Sequence, residues 1–453
     1  MKKYDVIFIG GGPAGYTGAM RARDLGFSAL LIEKNKVGGV CLQTGCIPTK
    51  ALLVSASLID KINRAVQFGL EVRLDTPHKL WKIAEQKDLI VGELTQGLIQ
   101  TLKRKGVEIL EGEASFKGPH VLTVKGQAGV QEVEGNVIVI ATGSRPQELP
   151  GVAFNHKNIL SSDDLLTLRE APKDLAIIGG GVIGCEFASF FATLGTRVSI
   201  VEMLPQILPM VDKDIAKRLE VLFKRRGIQI FTDRKMEKLS SDGTVLSLLL
   251  SGGDRISCDK ILVSVGRKRN TDALGLENAG IKLEKGMIQV NEFLETSAAG
   301  VYAVGDVIGS PQLAHVAQAE ALWVVDNLRR DKRPMDYRGW PNTIFTHPEV
   351  ACAGLTKEEA VKAGHEVEEA RYLFGALGKA HVERATDGLV KLVFDSKTDK
   401  ILGGHIIGEN ASDMIAEISL AIRLGAKRED LANTIHAHPT FSEVIWEASR
   451  NIP

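Results

Sequence analysis

Cysteine is scarce in this chain and neither charge is in excess. Five cysteines in 453 residues, an odd number, do not supply a secreted disulphide framework and fit a reducing compartment. The 56 Lys and Arg balance 56 Asp and Glu, with no block of like charge, so neither nucleic acid nor a membrane surface is an expected partner. Near the start only Val6 to Ile9 are continuously apolar, too few for a secretory leader, and no apolar run is expected to reach the ~20 residues of a membrane span. Fold-forming residues begin almost at Met1 with no transit peptide, which gives a cytoplasmic enzyme as the expectation. The 44 % hydrophobic and 25 % charged residues are globular values and exclude a disordered chain.

Glycine is plentiful, 46 residues against a usual ~7 %, and it is concentrated where backbone could approach a ligand. Tyr4 to Ile9 read as a strand, Gly10-Gly11-Gly12-Pro13-Ala14-Gly15 as a turn, and the following residues to about Leu25 as a helix; a second strand, Ala29 to Ile32, ends at Glu33. The unit recurs with Leu175 to Ile178, the turn Gly179-Gly180-Gly181-Val182-Ile183-Gly184, a helix to Leu194, and Arg197 to Val201 ending at Glu202. In both copies 23 residues separate the first glycine from the acid. One glycine-rich turn is weak, but two between strand and helix, each with an acid some 20 residues on, form the βαβ dinucleotide fingerprint. The first glycine makes the turn, the second leaves room for pyrophosphate, the third packs helix on strand, and the helix N-terminus offers N–H groups. Glu33 and Glu202 suit an unphosphorylated ribose diol, and Val201-Glu202-Met203-Leu204-Pro205 holds no arginine for a 2′-phosphate, so NAD is expected over NADP at the second site.

Length gives about three domains at roughly 150 residues each. We expect α/β architecture: two Rossmann-like dinucleotide-binding domains plus a C-terminal α+β domain. The chain crosses between domains near Ala141-Thr142-Gly143-Ser144 and Gly266-Arg267, and strands alternate with helices from about Pro341. Val301 to Asp306 is a strand that ends in a carboxylate suited to a cofactor hydroxyl.

Cys41-Leu42-Gln43-Thr44-Gly45-Cys46 carries the chemistry. On a regular helix these cysteines lie ~7.5 Å apart along the axis, beyond the ~4.4–6.8 Å Cα separation of a disulphide, so the segment must bend to bridge them. Gly38, Gly39 and Gly45 allow that, and a bridge over so short a loop would be reducible. Two unrelated buried thiols are the plainer alternative. Lys50 shares the Cys46 face of a helix and could stabilise a thiolate, or be a solvated lysine. Glu186 sits where a carboxylate needs a partner, and Lys50 is the expected one. In His436-Ala437-His438-Pro439-Thr440-Phe441-Ser442-Glu443, His438 reads as a base in a turn with Glu443 as its orienter. A zinc pair of His436 and His438 lacks a suitably spaced third ligand, so no metal is expected. His315 and His347 read as structural.

These motifs in this order resemble the pyridine nucleotide-disulphide oxidoreductase family, over essentially the whole chain from Gly10 to Glu443, and within it the lipoamide-oxidising branch. The resemblance implies FAD held by Gly10, Gly12, Gly15, Glu33, Lys50, Ala141, Thr142, Gly143 and Asp306, with backbone help near Ala114 and Ala314. It implies NAD held by Gly179, Gly181, Gly184, Glu186, Glu202 and Gly266. The domains would be 1–145 for FAD, 146–266 for NAD, 267–338 returning to the FAD domain, and 339–453 for dimerisation. A homodimer would set His438 of one subunit beside the other's disulphide, with Cys41 as exchange thiol, Cys46 facing the flavin, and Lys50 and Glu186 in support. The implied reaction oxidises protein-bound dihydrolipoamide with reduction of NAD, the lipoyl group being presented by a 2-oxo-acid dehydrogenase or glycine cleavage assembly. A nicotinamide-dependent reductase of a glutathione- or mycothiol-like disulphide is the alternative, and a non-catalytic flavin-binding scaffold a remote one. The chain departs from the family's pattern at Val40, at Arg269 and in its short tail of 10 residues after Glu443.

Overall fold

The computed structural model describes residues 1–72, 79–127, 129–241, 243 and 245–451; Ile452 and Pro453, the end of the short tail, lie outside them. The chain divides into two compact units, Met1–Ala51 with Ala84–Gln147 and Gly266–Asp336, and Leu52–Ile83 with Glu148–Val265 and Tyr337–Pro453.

The first unit is built on a seven-stranded sheet. Glu108–Glu111, Ala29–Glu33, Lys2–Ile9 and Gly129–Ile140 run parallel in that order, Val301–Ala303 pairs in parallel with Gly129–Ile140, and Val121–Gly126 and Glu113–Gly118 continue antiparallel. Central parallel strands are covered on both faces, which is why they are apolar without alternation. Val6 and Phe8 pack with Ala14, Ala22 and Val324 of the helices Pro13–Asp24 and Ala314–Asn327, while Ile7 and Ile9 pack with Phe116 and Val301 on the other face.

The second unit contains a parallel sheet in the order Gln229–Phe231, Arg197–Val201, Asp174–Ile178, Lys260–Val263 and Ile159–Leu160, with an antiparallel sheet of Met236–Ser241, Leu246–Leu250 and Arg255–Cys258. Its C-terminal part is a five-stranded antiparallel sheet, Pro341–Ile344, Glu349–Gly354, Ile401–Gly408, Leu389–Asp395 and Val367–Leu373. The helices Ala411–Leu424 and Glu443–Arg450 bury Ile415, Ile418, Val444 and Ile445 with this sheet's Val390, Leu392 and Ile406.

One helical stretch bears on the expectation about apolar runs. The helical stretch Gly39–Asn63 is long and apolar enough to cross a membrane by length and composition. Its sequence holds Lys50 and interrupting polar residues, which is why it does not read as an apolar run. The stretch breaks between the helices Gly39–Gln43 and Cys46–Asn63, and Leu52, Leu53 and Ala56 join a buried cluster with Leu165, Phe187 and Phe190.

Candidate functional site

The two glycine turns repeat one geometry. Gly10 has φ +107° and Gly179 φ +105°, and a Cβ on either would lie 2.4 Å from a carbonyl oxygen, that of Ala141 or Ser264. A Cβ at Gly15 or Gly184 would fall 1.8 or 2.1 Å from the oxygen of the turn's first glycine, so helix and strand touch where only glycine fits. The middle glycines differ: a Cβ on Gly181 would meet nothing within 4 Å, and one on Gly12 only Gly39 Cα at 3.9 Å. Gly12 and Gly181 also begin the helices Pro13–Asp24 and Val182–Thr193 without a side-chain cap. Uncapped N–H groups beside open space are what a pyrophosphate requires.

Each acid is fixed by its own turn. Glu33 Oε2 accepts from the Gly11 N–H at 2.6 Å and Oε1 from Asn35 at 2.7 Å; Glu202 Oε2 accepts from Gly180 at 2.7 Å and Oε1 from Leu204 at 2.8 Å. Both carboxylates are buried, and two N–H donors each offset the cost of desolvating them. Arg234 meets Glu202 through its backbone, its N–H bonding the Glu202 carbonyl. Its guanidinium is directed to Asp254 and the Asp233 carbonyl. Beside Glu33 an open cleft is lined by Gly10, Glu33, Gly112, Ala114, Thr142 and Asn270. Thr142 Oγ1 donates to the Asn270 carbonyl at 2.8 Å, and Asn270 Nδ2 returns a bond to the Thr142 carbonyl at 2.9 Å, holding the Ala141-Thr142-Gly143 turn. Asp306 Oδ2 accepts from Ser144 Oγ, with Arg267 Nε at 3.8 Å and bonded to Ser144 Oγ at 2.7 Å. Gly305 donates to the buried Glu320 at 2.6 Å, and Ala314 opens a 14-residue helix with no side-chain cap.

Cys41 and Cys46 meet across the bend, side chain hydrogen-bonded to side chain. The bend depends on Gly45, where a Cβ would lie 2.8 Å from the Val40 carbonyl oxygen and 3.3 Å from Cys41 Cα. The pair abuts the first glycine turn: Gly38 N–H bonds the Gly11 carbonyl at 2.8 Å, and Gly39 packs so closely that a Cβ would lie 2.6 Å from Gly12 Cα. The Cys41 thiol is pushed well above its ordinary range by its hydrogen bond to Cys46, then by burial and the charge of Cys46; Lys50 acts in the opposite sense.

Lys50 and Glu186 belong to different units. Glu186, 3 % exposed on the helix Val182–Thr193, accepts from the Phe345 N–H at 2.9 Å, and Ser189 one turn on accepts from the His347 N–H at 3.1 Å. His347, read as structural, bonds Asp60 at 3.1 Å through Nε2, and Arg226 donates to its carbonyl at 2.8 Å.

His438 projects from the turn before the helix Glu443–Arg450, its side chain 76 % exposed. Its Nδ1 lies 2.7 Å from Glu443 Oε1, and Glu443 Oε2 accepts from the Thr440 N–H at 2.7 Å. Burial would raise the Glu443 carboxyl, but the Thr440 N–H, the His438 ring and the charge of His436 outweigh it and hold it below its usual range. An ionised Glu443 requires the proton on Nδ1 of His438, which leaves Nε2 as the basic nitrogen. The acids Asp212, Asp214 and Glu369 converge as cation ligands would, but the buried Lys391 ammonium fills their centre at 2.8, 2.9 and 2.6 Å.

The sequence did not single out Tyr16, Ser144, Asn270, Glu320 or Phe345. Tyr16 is half-buried; burial, then the charges of Cys41 and Cys46, raises its hydroxyl. Ser144 and Glu320 left a signal, Ser144 by ending the Ala141 turn and Glu320 as an acid flanked by alanines on its helix. Asn270 and Phe345 act through chain reversals that no local pattern shows.

Residues 4–321 match the model of a family described as pyridine nucleotide-disulphide oxidoreductase, and residues 340–449 that of its dimerisation domain. The chain is 40 % identical to a dihydrolipoyl dehydrogenase of Bacillus subtilis over 99 % of its length and 97 % of the relative's, and 42 % identical, with the same coverage, to one of Thermus scotoductus. Among solved structures it is similar to LpdA of Mycobacterium tuberculosis, with TM-score 0.92, 27 % identity and 99 % of each chain covered. It is also similar to the HOCl-induced flavoprotein disulphide reductase RclA of Escherichia coli, with TM-score 0.90, 29 % identity and 99 % of each chain covered.

Proposed function

Because the chain belongs to the pyridine nucleotide-disulphide oxidoreductase family, we propose that it oxidises dihydrolipoyl groups carried by another protein and reduces NAD. The observation that carries this is the bend at Gly45, which brings Cys41 and Cys46 together against a dinucleotide turn. The name shared by relatives about 40 % identical over nearly the whole chain supports the substrate. Partners of this chemistry are the lipoyl-bearing proteins of 2-oxo-acid dehydrogenase or glycine cleavage assemblies, and the free thiols Cys185, Cys258 and Cys352 suit a reducing cytoplasm.

The residues fit FAD at the first turn and NAD at the second. Gly10, Gly12, Gly15, Glu33, the Ala141-Thr142-Gly143 turn and Asp306, with Lys50 and the backbone near Ala114 and Ala314, would hold the flavin nucleotide. Gly179, Gly181, Gly184, Glu186, Glu202 and Gly266 would hold the nicotinamide nucleotide. When bound, FAD supplies the two-electron relay between the thiol pair and NAD.

The chain's own part begins at His438, whose Nε2 takes the proton of one dihydrolipoyl thiol, because only the thiolate is a nucleophile. That thiolate attacks Cys41 Sγ of the oxidised pair, the Cys41–Cys46 bond breaks, and Cys46 leaves as a thiolate. The second dihydrolipoyl thiol then gives up its proton as its sulphur attacks the first, closing the lipoyl disulphide and expelling Cys41, which takes up that proton and returns as a thiol, the form its environment favours. Lys50 supplies the positive charge that steadies the Cys46 thiolate, with Glu186 in support. His438 serves the thiol pair of the partner subunit in a homodimer made through residues 339–453. In this proposal 1–145 and 267–338 form the FAD domain and 146–266 the NAD domain.

The test is the initial rate of nicotinamide reduction with dihydrolipoamide, using NAD and NADP in parallel. A fast reaction with NAD alone is expected, since a 2′-phosphate would meet the Glu202 carboxylate. Reduction of neither nucleotide, while NADH still bleaches the flavin, would move the substrate to another disulphide.

A further inference from the structure

The segment 434–442, between the helices Arg428–Asn433 and Glu443–Arg450, carries two histidines, and the mechanism uses only the second. His436 is the opposite of His438 in its surroundings, its side chain 7 % exposed rather than 76 %. Its Nδ1 lies 2.9 Å from the Thr434 carbonyl oxygen, and its Nε2 3.0 and 3.3 Å from the two oxygens of Glu417 on the helix Ala411–Leu424. Every one of these atoms is an acceptor. A neutral imidazole has a single N–H and satisfies only one side; both contacts are made when each nitrogen carries a hydrogen. A metal is excluded at this ring, since neither nitrogen is directed at anything but an oxygen.

From this geometry we infer that His436 is a positioning residue for the base His438: doubly protonated between Thr434 and Glu417, it ties the turn to the helix Ala411–Leu424 and sets a cation beside the dyad of His438 and Glu443. The charged groups facing it are Glu417 on that helix and, across the turn, Glu443, whose carboxyl it helps keep ionised. The two helices that flank the segment are themselves tied by Trp446, whose Nε1 donates to the Ala432 carbonyl at 2.8 Å. The ring and Glu417 thus form a neutral pair in a partly dry place, and loss of one member leaves the other's charge uncompensated near the base.

The inference rests on His438 acting as the base in the proposed reaction. The experiment compares His436→Gln, Glu417→Gln and the double variant as holoenzyme dimers, reading kcat/KM for dihydrolipoamide against pH alongside NADH-driven reduction of an artificial acceptor, in which His438 takes no part. His436→Gln should lower dihydrolipoamide turnover roughly tenfold and move the acidic limb to higher pH, because the unpaired Glu417 carboxylate favours a protonated His438. The double variant should bring that limb back while turnover stays low, and NADH-driven reduction should be preserved throughout. A limb that does not move in His436→Gln, or turnover equal to wild type, overturns the inference. If His436→Gln yields no holoenzyme, Glu417→Gln decides alone: several-fold loss of dihydrolipoamide turnover with preserved NADH-driven reduction supports the link, and unchanged turnover refutes it. His438→Gln separates the layers. Retained turnover there removes the base assignment itself, whereas lost turnover beside a wild-type-like His436→Gln removes only the positioning role.

Discussion

At the scale of single residues, the site rests on carboxylates whose oxygens are claimed by particular donors. Asp60 is the clearest case. Burial alone would raise it, but the His347 ring, then Arg64 and Arg226, hold it at about 2. Its carboxylate is 2.8 Å from Arg64 and 3.1 Å from His347. A carboxyl depressed on folding stabilises the native state above its unfolded value near 3.9, and that contribution is lost as pH falls through about 2. Asp60→Asn should therefore lower the thermal midpoint at pH 7, by an amount corresponding to about 2 kcal/mol. The gap from wild type should close between about pH 4 and pH 2. A gap independent of pH would show that packing, and not charge, sets the difference. Lys391 makes the complementary case: burial alone would lower its pKa, but the hydrogen bonds it donates to Asp212, Glu369 and Asp214 hold the ammonium above its ordinary range. Lys391→Met would strand three carboxylates and should cost about 3–5 kcal/mol, measured as lost thermal stability.

At the scale of elements, the two βαβ units were readable because their chemistry is local. Turn, helix, second strand and acid fall within 23 residues after each first glycine, and Arg197–Val201 begins and ends where the pattern places it. The bend between Cys41 and Cys46 was foreseeable from Gly45, but its stop against the Val40 carbonyl was not. Long-range pairs such as Asp60 with His347, or Ser144 with Asp306, join residues more than 160 positions apart and leave no periodic trace. The glycines allow a prediction at this scale. Gly181→Ala adds a methyl where nothing lies within 4 Å, so thermal stability should hold while the KM for NAD rises. Gly184→Ala adds one 2.1 Å from the Gly179 oxygen, so the midpoint itself should fall. If both variants behave alike, the open space at Gly181 is not the pyrophosphate's.

At the scale of the whole molecule, the proposed reaction depends on two copies. The matched dimerisation domain carries His438 and Glu443, and next to them Ile435 is 97 % exposed in the single chain. So bare an apolar residue in that domain is expected at a subunit contact. Ile435→Glu should weaken the dimer and turnover in parallel, with the flavin retained, followed by sedimentation and activity over one dilution series; full activity in a monomer would place the base within its own subunit.

The central claim is that electrons from a dihydrolipoyl group reach NAD through Cys41 and Cys46. The direct measurement is NAD reduction by dihydrolipoamide in wild type and Cys46→Ser, both loaded with flavin and both confirmed as dimers. Fast reduction by wild type and its loss in Cys46→Ser is the expected result; equal rates in the two proteins would contradict the thiol pair as the route.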